Sequence, residues 1–129
     1  MIRLVIADDH AVVRQGISRV IALDDGITLV AEAKDGEHLL ALLALHTVDV
    51  VVTDLNMPGV SGADLIKLLK TRYPAVAVVV FSMHNESQIA AQAIKAGASG
   101  YLSKDSEPDI LLGAVHRCAK GGNFVSSDI

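Results

Sequence analysis

Apolar and polar positions follow one another along the chain in blocks, and these blocks predict five strands, each followed by a helix. Five short runs rich in Val, Ile and Leu end at turn or polar residues and have the length of buried strands. We place these strands at residues 2–7, 27–33, 48–53, 76–81 and 99–102. After each run, apolar residues recur three and four positions apart, which is typical of a helix with one buried face.

This alternation predicts an α/β fold with a doubly wound, five-stranded parallel sheet and five helices on both of its faces. The strand runs are almost wholly apolar, as expected for strands that are covered on both sides. Three helix starts carry patterns similar to capping boxes: Ser61-x-x-Asp64, Asn85-x-x-Gln88 and Ser106-x-x-Asp109. We assign residues 1–120 to one domain, and the small polar tail 121–129 to the start of a linker.

Composition and charge narrow the classes of function. The 129 residues suffice for one core, and no apolar stretch has the length that a bilayer requires, so no membrane contact is expected. The formal charge of -4 and an aromatic content of 3% argue against direct nucleic-acid contact by this domain. The single cysteine, Cys118, lies on the apolar stripe of the last helix and fits an inert core thiol in a reducing cytoplasm.

Groups capable of chemistry gather at the ends of four of the five strands: Asp8 and Asp9, Asp54, Ser82 and Lys104. The carboxyl ends of parallel strands lie at one edge of a sheet, where ligands bind. If the strand order is 2-1-3-4-5, a common order in doubly wound sheets, these four strands are contiguous. Neighbouring strands are ~4.8 Å apart, so the side chains are expected to share one cleft.

The residue types in this cleft suggest phosphoryl chemistry. Three carboxylates held close together repel one another unless a cation lies between them, and Mg²⁺ is commonly held by one or two carboxylates. Asp54 is then a candidate nucleophile that forms an acyl phosphate. Lys104 and the Ser82 hydroxyl are candidates to bind phosphoryl oxygens, and the Asn56 backbone carbonyl is a further candidate metal ligand.

Taken together, these residues resemble a known family over nearly the whole chain. The pattern Asp8-Asp9, Asp54-x-x-Met57-Pro58-Gly59, Ser82 and Tyr101-x-x-Lys104 is similar to the receiver domain of two-component response regulators. Asp8-Asp9-His10 and residues 100–105 are most similar to the nitrate-response branch, whose receivers precede a helix-turn-helix DNA-binding domain. The resemblance implies a flavodoxin-like fold with the strand order 2-1-3-4-5, and a receiver domain at residues 1–120.

The resemblance also implies a phosphorylation switch in the cytoplasm. Asp54 would accept a phosphoryl group from the phosphohistidine of a sensor histidine kinase. Mg²⁺ would be held by Asp9, Asp54 and the Asn56 carbonyl, with Asp8 acting mostly through bound water. Self-phosphotransfer and autodephosphorylation would be the only reactions, so the domain would not be an enzyme with an external substrate.

The expected response to phosphorylation is a change of surface. The resemblance implies that Ser82 moves toward the phosphoryl group while Tyr101 turns inward. Both changes would remodel the surface of the fourth helix, fifth strand and fifth helix, which its own output domain or a second copy of the chain would contact.

Two positions depart from the family pattern. Asp105 follows Lys104 where many receivers have proline, which predicts a less constrained loop. Met83 follows Ser82 where the family usually has a small residue, so it is expected to slow the access of water and small phosphodonors. His84 lies near the cleft in the sequence and is a second candidate for tuning the kinetics.

Other interpretations remain open beside this one. Asp54-x-Asn56 faintly resembles the nucleophile motif of Mg²⁺-dependent aspartyl-phosphate phosphohydrolases, but those carry the nucleophile on the first strand and a second aspartate two residues on. A receiver-like module that binds partners without phosphorylation is the other alternative, against which the complete set of acids and lysine argues. The histidines show no metal-ligand spacing and are interpreted as structural or surface residues: His10, His38, His46, His84 and His116.

Overall fold

A computed structural model describes residues 1–83 and 86–126, and it shows strands and helices in alternation. The strands are β1 (Ile2–Ala7), β2 (Ile27–Ala33), β3 (Val50–Thr53), β4 (Ala77–Ser82), β5 (Gly100–Ser103) and β6 (Phe124–Val125). The helices are α1 (Ala11–Ile21), α2 (Gly36–Leu45), α3 (Gly62–Arg72), α4 (Ser87–Ala96) and α5 (Pro108–Ala119). In the described part of the chain, no helix has both the length and the apolar character needed to cross a membrane.

All strands belong to one parallel sheet with the order β2-β1-β3-β4-β5-β6. The predicted order of the first five strands and the flavodoxin-like α/β fold are confirmed, but the predicted count of five strands is wrong. The sixth strand pairs with β5, and its bonds run from Phe124 N to Ser99 O (3.0 Å) and from Ser126 N to Tyr101 O (2.9 Å). A strand of two residues has no apolar run from which it could be predicted.

The sixth strand lies within the tail that the sequence assigns to a linker. Residues 124–126 lie along the edge of the sheet, and residues 127–129 lie outside the described part of the chain. The position at which the linker begins, and hence the domain boundary at residue 120, stays a prediction.

The sheet buries apolar side chains on both faces, which explains why its strands are continuously apolar. Leu4 and Ile6 of β1 belong to a cluster that includes the buried sides of α1 and α5. Val5 and Ala7 belong to the opposite cluster, which includes the buried sides of α2, α3 and α4. Cys118 is 2% exposed in the α1–α5 cluster, and burial raises the pKa of its thiol, in agreement with the predicted core position.

The helices begin at or near the predicted positions, but the predicted capping hydrogen bond of α3 is not formed. Ser61 is the N-cap residue of α3, but its side chain does not form the expected cap bond. The N-cap of α5 is Glu107 rather than Ser106, and Pro108 occupies the first turn as predicted. The predicted N-cap Asn85 lies outside the described residues.

The register of the sheet places the strand ends that carry polar groups at one edge. Ala7 of β1 is paired with Thr53 of β3, and Thr53 with Val80 of β4. Ser82, the last residue of β4, is paired with Ser103 of β5. The residues that follow β1, β3, β4 and β5 therefore emerge side by side.

A close contact between α2 and the β3–α3 loop (residues 54–61) generates a first prediction. A Cβ atom on Gly36 would lie 2.1 Å from the Val60 carbonyl oxygen, so the loop backbone would have to move. Gly36→Ala is expected to lower the free energy of unfolding by about 1–3 kcal/mol, as overpacking generally does. Urea unfolding followed by circular dichroism measures this loss.

Gly113 supplies the matched control, because it is exposed inside α5 and a Cβ there would meet nothing within 4 Å. Gly113→Ala is expected to raise the free energy of unfolding by about 0.5–1 kcal/mol, since alanine favours helix. Equal effects of the two substitutions would contradict the close contact at Gly36.

Candidate functional site

Two buried acids lie where β1 and β3 end. Asp8 follows β1 directly, and its backbone N–H donates to the Ala33 carbonyl of β2 at 3.0 Å. Asp54 follows β3, and its N–H donates to the Ala7 carbonyl at 2.8 Å. The two residues are 1% and 7% exposed, respectively. Hydrogen bonds that continue the strand pairing thus hold both acids at the edge of the sheet.

The Lys104 ammonium lies between these acids. Its Nζ is 2.9 Å from Asp8 Oδ2 and 3.3 Å from Asp54 Oδ1, and its side chain is 10% exposed. The Lys104 backbone N–H donates to the Ser82 carbonyl at 2.9 Å, which extends the β4–β5 pairing. The structure therefore brings together the groups that the sequence places at the ends of β1, β3 and β5.

Asp54 is electrostatically strained by its surroundings. Burial is the main cause that raises the pKa of its carboxyl group, and the negative charge of Asp8 raises it further. Lys104 acts in the opposite direction, as does the hydrogen bond from Leu55 N–H to Asp54 Oδ1 at 2.8 Å. A single ammonium does not compensate two buried carboxylates, so the site favours an additional cation.

The donor set at this edge fits a divalent cation. Ligand atoms of Asp8, Asp9, His10 and Asp54 all lie within 4.8 Å of one another. Carboxylate oxygens are the ligands that Mg²⁺ prefers. Asn56 is exposed in the β3–α3 loop, two residues beyond Asp54 in the sequence. The cluster thus contains three of the four predicted metal ligands.

His10 is the member of this cluster that the sequence interpretation missed. Its Nδ1 lies 3.1 Å from Asp8 Oδ1 and 3.2 Å from Asp9 Oδ1, and its backbone N–H donates to Asp8 Oδ1 at 2.9 Å. The ring is 66% exposed, so the predicted surface position is right, but the prediction overlooked its contact with the site. The available signal was its place directly after two acids at a strand end.

Arg14 is a second residue near the site that sequence reasoning missed. From the second turn of α1, its Nη1 donates to the Asp8 carbonyl at 2.7 Å, and its Nε lies 3.4 Å from Glu32 Oε1 on β2. These contacts fix the backbone at Asp8. The sequence offers no signal for them, because a lone arginine on a polar helix face usually points into water.

Ser82 and Tyr101 lie next to each other inside the fold. Both are 0% exposed, and their hydroxyl groups are hydrogen-bonded to one another. Burial is the main cause that raises the pKa of Tyr101; the Glu86 and Asp54 charges add to it, and the Ser82 bond opposes it. The tyrosine ring therefore already occupies the inward position in this structure.

Of the two residues expected to tune the kinetics of the site, the structure describes Met83 but not His84. Met83 is 77% exposed and, together with Lys104, lines a groove of about 390 Å³ between α1 and α5. His84 lies outside the described residues.

The loop at Asp105 is held by hydrogen bonds: the Ser103 hydroxyl donates to the Asp105 carboxylate, and Ser106 N–H donates to the Ser103 carbonyl at 3.0 Å. The expectation of a less constrained loop overlooked these bonds.

Comparisons with known proteins agree with this geometry. The family model described as the response regulator receiver domain matches residues 4–116. The chain is 39% identical to the transcriptional regulatory protein DegU of Brevibacillus brevis over 124 residues, which are 96% of this chain and 52% of DegU. It is 38% identical to the nitrate/nitrite response regulator NarL of Escherichia coli strain K12 over 123 residues, 95% of this chain and 57% of NarL.

A solved structure shows the same fold. The isolated receiver domain of RcsB from Salmonella enterica serovar Typhimurium, determined with the phosphomimetic BeF3-, is 29% identical and superimposes with a TM-score of 0.92. The superposition covers 98% of this chain and 94% of that domain. The chain thus corresponds to one domain of RcsB and spans about half the length of DegU and NarL.

The strained carboxyl of Asp54 predicts that removing its charge stabilises the fold. Its pKa lies above the ordinary value of 3.8 in the folded state, so ionisation destabilises the fold at every pH above that value. At pH 7 without divalent ions, Asp54→Asn should raise the free energy of unfolding by more than the roughly 0.5 kcal/mol typical of surface substitutions. This gain should shrink as the pH falls through the raised pKa and vanish below 3.8, where the carboxyl group is protonated in both the folded and the unfolded chain.

Urea unfolding at several pH values in the presence of a chelator measures the effect. Asp25→Asn is the control, because Asp25 is exposed in the loop between α1 and β2. A gain for Asp54→Asn that does not depend on pH, or one matched by Asp25→Asn, would show that Asp54 is not strained.

Proposed function

Because the chain belongs to the response regulator receiver family, we propose that it is switched by transfer of a phosphoryl group to Asp54. The donor is the phosphohistidine of a sensor histidine kinase. The observation that supports this proposal most directly is the Lys104 ammonium, 3.3 Å from Asp54 Oδ1 and 2.9 Å from Asp8 Oδ2. It lies where a cation is needed to balance the charge of a phosphoryl group on Asp54.

The contacts of Asp54 suggest which oxygen reacts. Oδ1 accepts the Leu55 N–H and faces the Lys104 ammonium, so we assign the attack to Oδ2. A lone pair of Oδ2 forms the bond to phosphorus, while the bond between phosphorus and the imidazole nitrogen of the kinase breaks and leaves its electrons on that nitrogen. The transfer needs the ionised carboxylate, because the protonated carboxyl group is a poor nucleophile.

The other residues bind the group and stabilise its charge. Lys104 pairs with a phosphoryl oxygen, and the Ser82 hydroxyl donates to another. Asp9, Asp54 and the Asn56 carbonyl would hold Mg²⁺, with Asp8 acting mostly through water. The bound ion would neutralise charge that develops on the phosphoryl oxygens.

Ser82 and Tyr101 are proposed to carry the signal away from Asp54. The buried tyrosine belongs to the same apolar cluster as Ala90 and Ala93 of α4. Its ring is already inside, so phosphorylation would favour an arrangement that the unmodified chain can reach. We propose that this fixes the surface formed by α4, β5 and α5.

The proposed partners follow from the relatives. DegU is named as a transcriptional regulator and NarL as a nitrate/nitrite response regulator, and this chain spans 52% and 57% of their lengths. We propose that the receiver controls a DNA-binding output domain of its own protein, or pairs with a second copy, in the cytoplasm. The formal charge of -4 supports a domain that does not itself contact DNA or membrane.

The alternative functions receive less support. A phosphohydrolase of the aspartate type needs a second acid two residues beyond the nucleophile, and that position is Asn56, which is exposed. A module that binds without phosphorylation has no need of two buried acids strained around one lysine. We therefore propose self-phosphotransfer and autodephosphorylation as the chemistry of the domain, without an external substrate.

Labelling with a small phosphodonor tests the proposal. With Mg²⁺ and radiolabelled acetyl phosphate, the protein should take up about one phosphoryl group per chain as an acyl phosphate that hydroxylamine removes. Asp54→Asn should abolish labelling, and Lys104→Met should slow it by about 100-fold, the effect of losing one group that stabilises transferred charge.

Asp25→Asn should be labelled like the unsubstituted protein. Undiminished acyl-phosphate labelling of Asp54→Asn would exclude Asp54 as the acceptor. Multiple turnovers of a generic phosphomonoester would favour the phosphohydrolase instead.

Met83 generates a further prediction, because its exposed side chain and Lys104 line the same groove. Met83→Ala should open the approach to Asp54, so water should hydrolyse the acyl phosphate faster and the small donor should label the protein faster. Each rate should rise roughly 2- to 10-fold, which corresponds to an activation free energy lower by up to about 1.4 kcal/mol. Radiolabel decay and the initial rate of labelling measure these changes.

Leu23→Ala is the matched control, since Leu23 is an apolar residue 74% exposed just beyond α1. Unchanged kinetics in Met83→Ala, or an equal change in Leu23→Ala, would show that Met83 does not limit access to Asp54.

A further inference from the structure

The imidazole of His10 lies against both acids that follow β1. Its Nδ1 is 3.1 Å from Asp8 Oδ1 and 3.2 Å from Asp9 Oδ1. His10 also belongs, with Asp8, Asp9 and Asp54, to a group in which each residue offers one ligand atom and these atoms all lie within 4.8 Å of one another. A nitrogen ligand therefore lies among three carboxylates, at the place where the proposed divalent cation binds.

These separations fit neighbouring positions around a single ion. In an octahedral site with bonds of about 2.1 Å, adjacent ligand atoms are about 3.0 Å apart and opposite ones about 4.2 Å. The distances of 3.1 and 3.2 Å match adjacent positions, and a spread of 4.8 Å needs a small inward movement to close on one ion. Without the ion, the 3.1 Å contact is a hydrogen bond between His10 Nδ1 and Asp8 Oδ1, which a bound ion would replace. The ring is 66% exposed, so it has room for that movement.

The positions of the charged groups leave the side of Asp8 that faces His10 open to a cation. Asp8 faces Lys104 through Oδ2 and His10 through Oδ1, so the ammonium and the imidazole approach opposite oxygens of one carboxylate. An ion on the His10 side therefore does not need to displace Lys104.

We propose that His10 is a direct metal ligand through Nδ1 and determines which cation the site prefers. Oxygen ligands suit Mg²⁺ and also Mn²⁺, whereas the affinity of a site that contains imidazole rises along the transition-metal series from Mn²⁺ to Co²⁺. His10 adds one nitrogen to the carboxylates, so the site binds Mn²⁺ and Co²⁺ with the imidazole coordinated and Mg²⁺ largely without it. Since the divalent site itself belongs to the proposed function, this inference rests on that function.

Pulsed electron paramagnetic resonance of the Mn²⁺-bound protein tests the ligand directly. An imidazole nitrogen bound to Mn²⁺ modulates the electron spin echo, so the unsubstituted protein should show nitrogen modulation and His10→Ala should lose it. His38→Ala should keep it, because the His38 ring accepts the Lys34 N–H instead. His84→Ala should also keep it; this control is needed because His84 follows β4 closely in the sequence.

Affinities supply the second measurement. By calorimetric titration, His10→Ala should weaken Mn²⁺ and Co²⁺ binding by about tenfold or more, because even residues that only orient a metal ligand contribute about that much to affinity. The same substitution should change Mg²⁺ binding by less than about twofold. Absence of nitrogen modulation in the unsubstituted protein, or its persistence in His10→Ala, would overturn the proposal. So would tighter binding of all three ions to His10→Ala, which would show that the ring competes with the metal.

The two proposals fail in different ways. If Asp54 accepts phosphate from acetyl phosphate and Mn²⁺ shows no nitrogen ligand, the role of His10 is wrong and the phosphorylation switch stands. If nitrogen modulation depends on His10 and no acyl phosphate forms, the chain has a mixed-ligand metal site and the switch is wrong.

Discussion

The arrangement of this protein depends on one ammonium group shared by two buried carboxylates. Lys104 faces both Asp8 and Asp54, and each acid is less than a tenth exposed. A buried carboxylate without a partner costs several kcal/mol, so the lysine stabilises the fold as well as the site. One positive charge against two negative charges nevertheless leaves a deficit of one positive charge. Burial and, after it, the charge of Asp8 therefore raise the pKa of Asp54 despite the presence of Lys104.

This deficit can persist because the backbone, rather than the charges, fixes the positions of the groups. Asp54 N–H is bonded to Ala7 of the neighbouring strand, and Lys104 N–H is bonded to Ser82. Both bonds continue the strand pairing by one residue past the ends of the strands. The free energy gained by burying the apolar sheet thus holds the like charges close together. A cation or a phosphoryl group therefore binds to a site that is already formed.

The strands could be predicted because burial on both faces leaves continuous apolar runs such as Val50–Thr53. The convergence of acids and lysine followed from the direction of the strands together with the strand order that the family resemblance implies, without any knowledge of side-chain contacts. The sixth strand could not be predicted, because its two residues are held by backbone bonds at the sheet edge and follow Gly121 and Gly122.

His10 was missed for a related reason. Its position follows from the turn of the chain after β1, where its own N–H bonds to Asp8, and no periodic pattern records such a turn. The hydrogen bond between the side chains of Ser82 and Tyr101 depends likewise on the register of β4 against β5, in which Tyr101 is paired with Val80. Sequence patterns predicted both strands but not their register.

The register of β4 against β5 also affects how phosphorylation of Asp54 would change the surface formed by α4, β5 and α5. A serine hydroxyl donates one hydrogen bond and can accept others, and a tyrosine with a raised pKa keeps its proton as a donor. While burial raises the pKa of Tyr101, the Ser82 bond lowers it, as a bond donated to the phenol oxygen does. Donation by Ser82 to a phosphoryl oxygen would therefore make Tyr101 the donor of the bond between them. The proposed phosphorylation would then strengthen the bond that keeps the ring inside, because hydrogen bonds in a chain polarise one another. Coupling of this kind requires no large movement of the sheet, only a shift between side-chain arrangements that its rigid strands already permit.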